Sequence, residues 1–132
     1  MDIARQVRRF YEELWNKRDL SVAEEILDEA VVFRGSFGSA HVGRKAVREY
    51  VTTVTTALSG YHCDLEVLVQ EGNSAAARLT FCGTHVGEFF GRQPTGRSVN
   101  WAGAAFFQSN GIELSDIWVL GDLVDLYEQL ES

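Results

Sequence analysis

Apolar residues open the chain at three- and four-residue spacing. Ile3, Val7, Phe10, Tyr11 and Leu14 form one stripe with charges on the opposite face, the pattern of an amphipathic helix. Asn16 to Asp19 breaks it. Ser21-Val-Ala-Glu24 then matches a capping box, in which serine and glutamate satisfy free amides at a helix start. Val22, Ile26 and Leu27 give that short second helix a buried side. The β-branched and aromatic run Val31, Val32, Phe33 predicts a strand, and the glycine- and serine-rich stretch Ser36 to His41 a loop. Helical spacing returns from about Arg44, with Val47, Tyr50, Val51, Val54 and Leu58 on one stripe. Thr52, Thr53, Thr55 and Thr56 are poor helix formers, so this third helix depends on packing its apolar face against a sheet.

The period then changes to two. Tyr61 to Gln70 and Ala75 to His85 flank Gly72-Asn73, and Val99 to Gln108 and Ile112 to Leu120 flank Asn110-Gly111. Both pairs read as hairpins. Two-residue turns would set Cys63 opposite Cys82, Leu65 opposite Thr80 and Arg78 opposite Val67 in the first. In the second they would set Trp118 opposite Gly103 and Trp101 opposite Leu120. Gly91, Pro94 and Gly96 mark an intervening loop, and Leu123, Leu126, Tyr127 and Leu130 a terminal helix. Runs of helix followed by runs of antiparallel strand indicate α+β layering. The expectation is one domain over residues 1–132, a cone-shaped curved antiparallel sheet wrapped around the N-terminal helices and enclosing a mostly apolar pocket.

Charge narrows the partners. Twelve Lys and Arg against nineteen Asp and Glu leave a formal net charge of -7, which argues against nucleic acid and an anionic membrane surface. No apolar stretch approaches a membrane span or a signal peptide. Two cysteines make no secreted disulfide framework, so a reduced, cytoplasmic setting is expected.

The last hairpin carries the candidate chemistry. Alternation projects Asp116, Trp118, Leu120 and Asp122 to one face. Trp101 and Trp118 could hold a planar ligand while a carboxylate in apolar surroundings moves a proton. Asp122 also directly precedes a helical pattern and so reads equally as its N-cap. Asp116 reads as a rim charge as well as a pocket residue. Phe33, Phe81 and Phe106 supply further aromatic wall. His85, at a strand end before the glycine-bearing loop, could act as a base or hydrogen-bond donor, or bond to backbone. His41 and His62 read as structural or solvated. The three histidines show no metal-ligand spacing, so no metal is expected.

The stretch Gly83-Thr84-His85-Val-Gly-Glu-Phe-Phe-Gly-Arg-Gln-Pro94-Thr95-Gly96-Arg97 resembles the G-T-H-x-G-x-F-x-G-x-x-P-T-G-[RK] motif of SnoaL-like polyketide cyclases. These are also called ester cyclases, within the nuclear-transport-factor-2-like (cystatin-like) superfamily. Leu114-Ser-Asp116-Ile-Trp118-Val-Leu-Gly-Asp122 resembles the family's closing strand. The resemblance implies a homodimer of cone-shaped barrels. It also implies cofactor-free intramolecular aldol closure or isomerisation of a small apolar, polyketide-like, carbonyl-rich molecule. Asp122 would serve as acid/base and His85 as its partner. Family members usually carry histidine just before the position of Trp118 and aspartate just after it; here Ile117 and Val119 stand there. That departure points to the alternatives: a non-catalytic binding or interaction module, or a water-activating hydrolase or hydroxylation accessory.

Overall fold

The structure, a computed structural model, describes residues 2–131. Asp2 accepts the Ala4 amide (3.1 Å) and so starts α1, Ile3–Arg9. The helix then widens into a π-helical turn, Phe10–Trp15, in which the Asn16 amide reaches back five residues to the Tyr11 carbonyl (2.9 Å). Such a turn carries one residue more than an α-turn. Here it buries Phe10, Tyr11, Leu14 and Trp15 together.

A 3₁₀ turn, Leu20–Val22, leads into α2, Ala23–Ile26. The expected capping box does not form. The cap is Asp19, two residues earlier, which accepts the Ser21 amide (3.2 Å), and the Glu24 carboxylate turns to Arg44 and Arg48. The strand β1 runs Leu27–Arg34, β2 Ala40–Val42, β3 Leu58–Glu71, β4 Ser74–His85, β5 Ser98–Ser109 and β6 Leu114–Gly121. α3 spans Arg44–Ala57 and α4 Leu123–Glu131. The expected loop before α3 therefore ends in a short strand. In α3 the Thr52, Thr53 and Thr55 hydroxyls donate to carbonyls four residues back, which accommodates these poor helix formers.

All six strands form one sheet in the order β2-β1-β6-β5-β4-β3. Every neighbouring pair is antiparallel except β1 and β6, which run parallel. The sheet is thus mixed, with the first strand inserted beside the last. Its concave face packs on α1, the π turn and α3 through a continuous core that includes Phe10, Leu14, Phe33, Val51, Leu79, Phe107 and Ile117. This is the α+β cone that the pattern of elements implies.

Register departs from expectation in both hairpins. Beside Gly72-Asn73 the pairing is as expected as far as Val67 opposite Arg78. A bulge at Glu66 then shifts it by one, so Leu65 faces Leu79 and Cys63 faces Phe81. Thr80 donates to the Glu66 carboxylate (2.7 Å) at the bulge. Cys63 and Cys82 are not a cross-strand pair; Cys63 is buried, Cys82 half-buried, and both are free. In the last hairpin the Asn110 side chain accepts the amides of Ile112 and Glu113 (both 2.8 Å), while the Asn110 amide donates to the Glu113 carbonyl. The turn is therefore longer than two residues. Trp118 faces Phe106, and Gly103 faces Gly121.

Candidate functional site

An odd shift of register turns one strand over relative to its neighbour. That is what the longer turn does to the expected site. Asp116, Trp118 and Leu120 still share one face of β6, but it is the outer face; Ile117 and Val119 point into the cone. Trp118 stacks obliquely on Phe106 (5.8 Å, 54°) on that outer side, and the Arg34 guanidinium lies over its ring at 5.0 Å. Phe106 and Asp116 are exposed. These three expected pocket residues lie across the sheet from the hollow.

Asp122 sits just past β6, exposed, and accepts the Asp125 amide (3.2 Å) as the cap of α4. His85 is fully buried. Its Nδ1 accepts the Thr95 amide (3.3 Å) and lies 3.1 Å from Thr95 Oγ1. A ring nitrogen that accepts a backbone N–H carries no proton, so the His85 proton resides on Nε2, which has no partner among the described residues. With the His85 amide bonded to the Arg97 carbonyl and its own carbonyl to Gly96, this histidine pins the Pro94–Gly96 loop.

Phe33, Phe81 and Trp101, by contrast, do line the hollow of the cone. With them stand Tyr11 and Trp15 from the π turn, Tyr50 and Val54 from α3, Tyr61 from β3, and Ser36 and Phe37 from the β1–β2 connection. The rings interlock: Trp15 meets Tyr50 edge-on (5.9 Å) and Tyr61 obliquely (5.2 Å), and Phe81 lies 5.3 Å from Trp101. They leave a free volume of ≈ 20 Å³, about enough for one water.

Three polar atoms in this wall are buried without a partner among the described residues: Tyr11 Oη, Trp15 Nε1 and Trp101 Nε1. Gly121 keeps the space beside the Trp101 indole nitrogen, since a Cβ there would stand 3.1 Å from Nε1 and 3.0 Å from Ser36 Oγ. Burial pushes the Tyr11 and Tyr61 hydroxyls well above the ordinary tyrosine value, and burial raises Tyr50 as well. All three phenols therefore stay protonated at neutral pH, and only as neutral groups can they meet a ligand. Among the described residues no carboxylate or imidazole lines the hollow.

Tyr11 falls on the apolar stripe that the sequence shows, without being marked there as a wall residue; Trp15 lies off that stripe in a regular α-helix. The dense aromatic segment Phe10-Tyr11-Glu12-Glu13-Leu14-Trp15 was the available signal. Among the described residues no group of three or more His, Cys, Asp and Glu could hold a metal ion. Nor, among these residues, is any helix long and apolar enough to cross a membrane.

Comparison with known proteins agrees with this architecture. Among curated protein sequences nothing matches the chain. Solved structures do. TsrD from Streptomyces laurentii superposes with a TM-score of 0.86 at 23% identity, over 98% of this chain and 97% of that one. A SnoaL-like protein of Jannaschia sp. CCS1 gives 0.89 at 17% identity, over 98% and 91%. IdmH from Streptomyces antibioticus gives 0.85 at 20%, over the whole of both chains. At these identities the likeness establishes a shared fold. The family profile described as SnoaL-like polyketide cyclase matches residues 5–130, nearly the full length, and the chain belongs to that family.

Proposed function

We propose that the protein binds a flat small molecule bearing a carbonyl or hydroxyl group in the aromatic hollow. Its oxygen would be held by the Trp15 and Trp101 indole N–H groups and the Tyr11 phenol. The observation that carries this reading is the set of three unpartnered polar atoms in an otherwise apolar wall. Leaving such a group unpaired costs about 1–3 kcal/mol, and a ligand oxygen removes that cost on binding. The rings supply offset and edge contacts for a planar body. Since the free volume is ≈ 20 Å³, the ligand enters by displacing side chains.

Isothermal titration with 2-naphthol tests this directly. Trp101→Phe keeps a ring and removes the N–H; affinity falls about fivefold, the worth of one net hydrogen bond. Absence of binding to the wild type, or an unchanged affinity in Trp101→Phe, overturns the reading.

Family membership favours a second reading, cofactor-independent aldol cyclisation of a polyketide ester with Asp122 as acid/base and His85 as its partner. Asp122 lies one residue from Gly121, which borders the Trp101 nitrogen. Hydrogen-bond donors in the wall would stabilise the developing enolate oxygen. Asp122→Asn separates the two: more than about tenfold loss of turnover on a polyketide ester analogue supports acid/base action, a change of about 1.4 kcal/mol. Unaltered turnover, or none in the wild type, leaves binding alone.

The outer face fits a second copy of the chain. Phe106, Trp118 and Leu120 are exposed together there, an apolar patch of the kind that marks an interface. Sedimentation at micromolar concentration would show a dimer, and Trp118→Asp a monomer.

A further inference from the structure

A second concavity lies beyond the wall of the hollow. It is lined by Ser39 and His41 from β2 and its approach, Ala46, Glu49 and Thr53 on α3, and Phe90. One residue, Tyr50, lines both spaces. The Phe37 ring, which faces the hollow, stacks flat on Phe90, which faces the groove (4.0 Å, 15°). The partition between hollow and groove is thus one tyrosine and one pair of stacked phenylalanines.

On the groove side His41 packs against Tyr50, ring centres 4.7 Å apart, and against Phe33 at 6.3 Å. Its Nε2 is buried and has no hydrogen-bond partner among the described residues. A buried polar atom is ordinarily paired. Here an imidazole nitrogen is held by aromatic neighbours at the edge of an open groove, without the bond that would explain its position. Neutral imidazole offers a donor at one nitrogen and an acceptor at the other. A hydroxyl can serve either one, and a carbonyl can serve the donor. Glu49, exposed on the same groove, disfavours an anionic group.

We propose that this groove is a second subsite of the same pocket, in which His41 Nε2 binds the far hydroxyl or carbonyl of an elongated, neutral, flat ligand whose body lies in the hollow. The inference rests on the binding reading above and adds the ligand's second polar end. Tyr50 and the Phe37–Phe90 stack shift aside to let the molecule span both spaces. A ligand with oxygens at opposite ends of a fused-ring body fits; one with a single polar end leaves His41 unpaired.

The test compares 2-naphthol with 2,6-dihydroxynaphthalene, which adds one hydroxyl at the far end of the same body. Titrated into the wild-type protein, the diol binds about fivefold tighter, the worth of one added hydrogen bond. His41→Phe abolishes this difference while leaving 2-naphthol affinity unchanged, which also shows that the variant is folded. Thr53→Phe, an exposed position that plugs the groove without touching the hollow, abolishes it too. No gain for the diol in the wild type, or a gain that survives in both variants, overturns the subsite and leaves the hollow intact. Failure of 2-naphthol itself to bind overturns both.

Discussion

Trp101 and Trp118 stand on adjacent strands, yet they live in different solvents. Trp101 is 2% exposed, its ring wedged against Phe81 and its N–H without a partner in the hollow. Trp118 is 39% exposed, lies beside Phe106, and carries an arginine over its face. Among the described residues the inner ring meets no cation and its N–H has no partner; the outer ring has a cation over it and a solvent-exposed edge. The residue type is the same in both. What separates them is strand parity, and with it the role each can play: the buried indole can recognise a small molecule, and the wet one can only meet a surface.

The sharpest way to break that comparison is truncation. Trp101→Ala is expected to cost about 3–5 kcal/mol in urea unfolding, the usual penalty for deleting a large core ring. Trp118→Ala should stay within about 0.5 kcal/mol when the protein is diluted to monomer. Equal costs would mean that the outer ring is as structural as the inner one. Next in size is Gly103→Ala. The new methyl would overlap the Phe81 ring and crowd the Leu120 carbonyl at 3.2 Å, so overpacking of about 1–3 kcal/mol is expected with the outer face untouched.

A smaller effect follows from proton linkage. The buried phenols of Tyr11, Tyr50 and Tyr61 all hold their protons more tightly folded than unfolded. Their contribution is complete below about pH 10, where unfolded tyrosine begins to ionise, and is lost as pH rises further. Each phenol steepens the loss by about 1.4 kcal/mol per pH unit. Urea midpoints across the alkaline range should show the decline, and Tyr61→Phe should make it shallower. The smallest effect concerns Asp122. Its cap is worth about 1 kcal/mol, so Asp122→Ala lowers the midpoint slightly; on the binding reading it leaves 2-naphthol affinity unchanged.

Much of this architecture is written locally. The α3 stripe from Val47 to Val54 and the Gly72-Asn73 hairpin as far as Val67 follow from spacing and turn chemistry. Phe33, Phe81 and Trp101 do line the hollow, although the two-residue turn that set Trp101 on the Trp118 face does not form. What is not local is harder to see. The Glu66 bulge depends on what lies across the strand, and it separates Cys63 from Cys82. The Asn110 side chain lengthens a turn whose two central residues suit a tighter one, and that choice moves Trp118 and Asp116 to the far side of the sheet; Phe106, five residues from Trp101 on β5, is there by alternation alone. The π turn, invisible in an i, i+3, i+4 pattern, adds Trp15 to the wall beside Tyr11.

The parallel ladder between β1 and β6 ties residues that lie far apart along the chain. On the ribosome, β1 emerges long before its neighbour exists, and closing so large a loop is slow. The nascent chain must therefore keep Val31 and Phe33 out of trouble until Leu114–Trp118 clears the exit tunnel. A chain released short of that point would lack the strand that joins β1 to the rest of the sheet, and would be a natural client for chaperones.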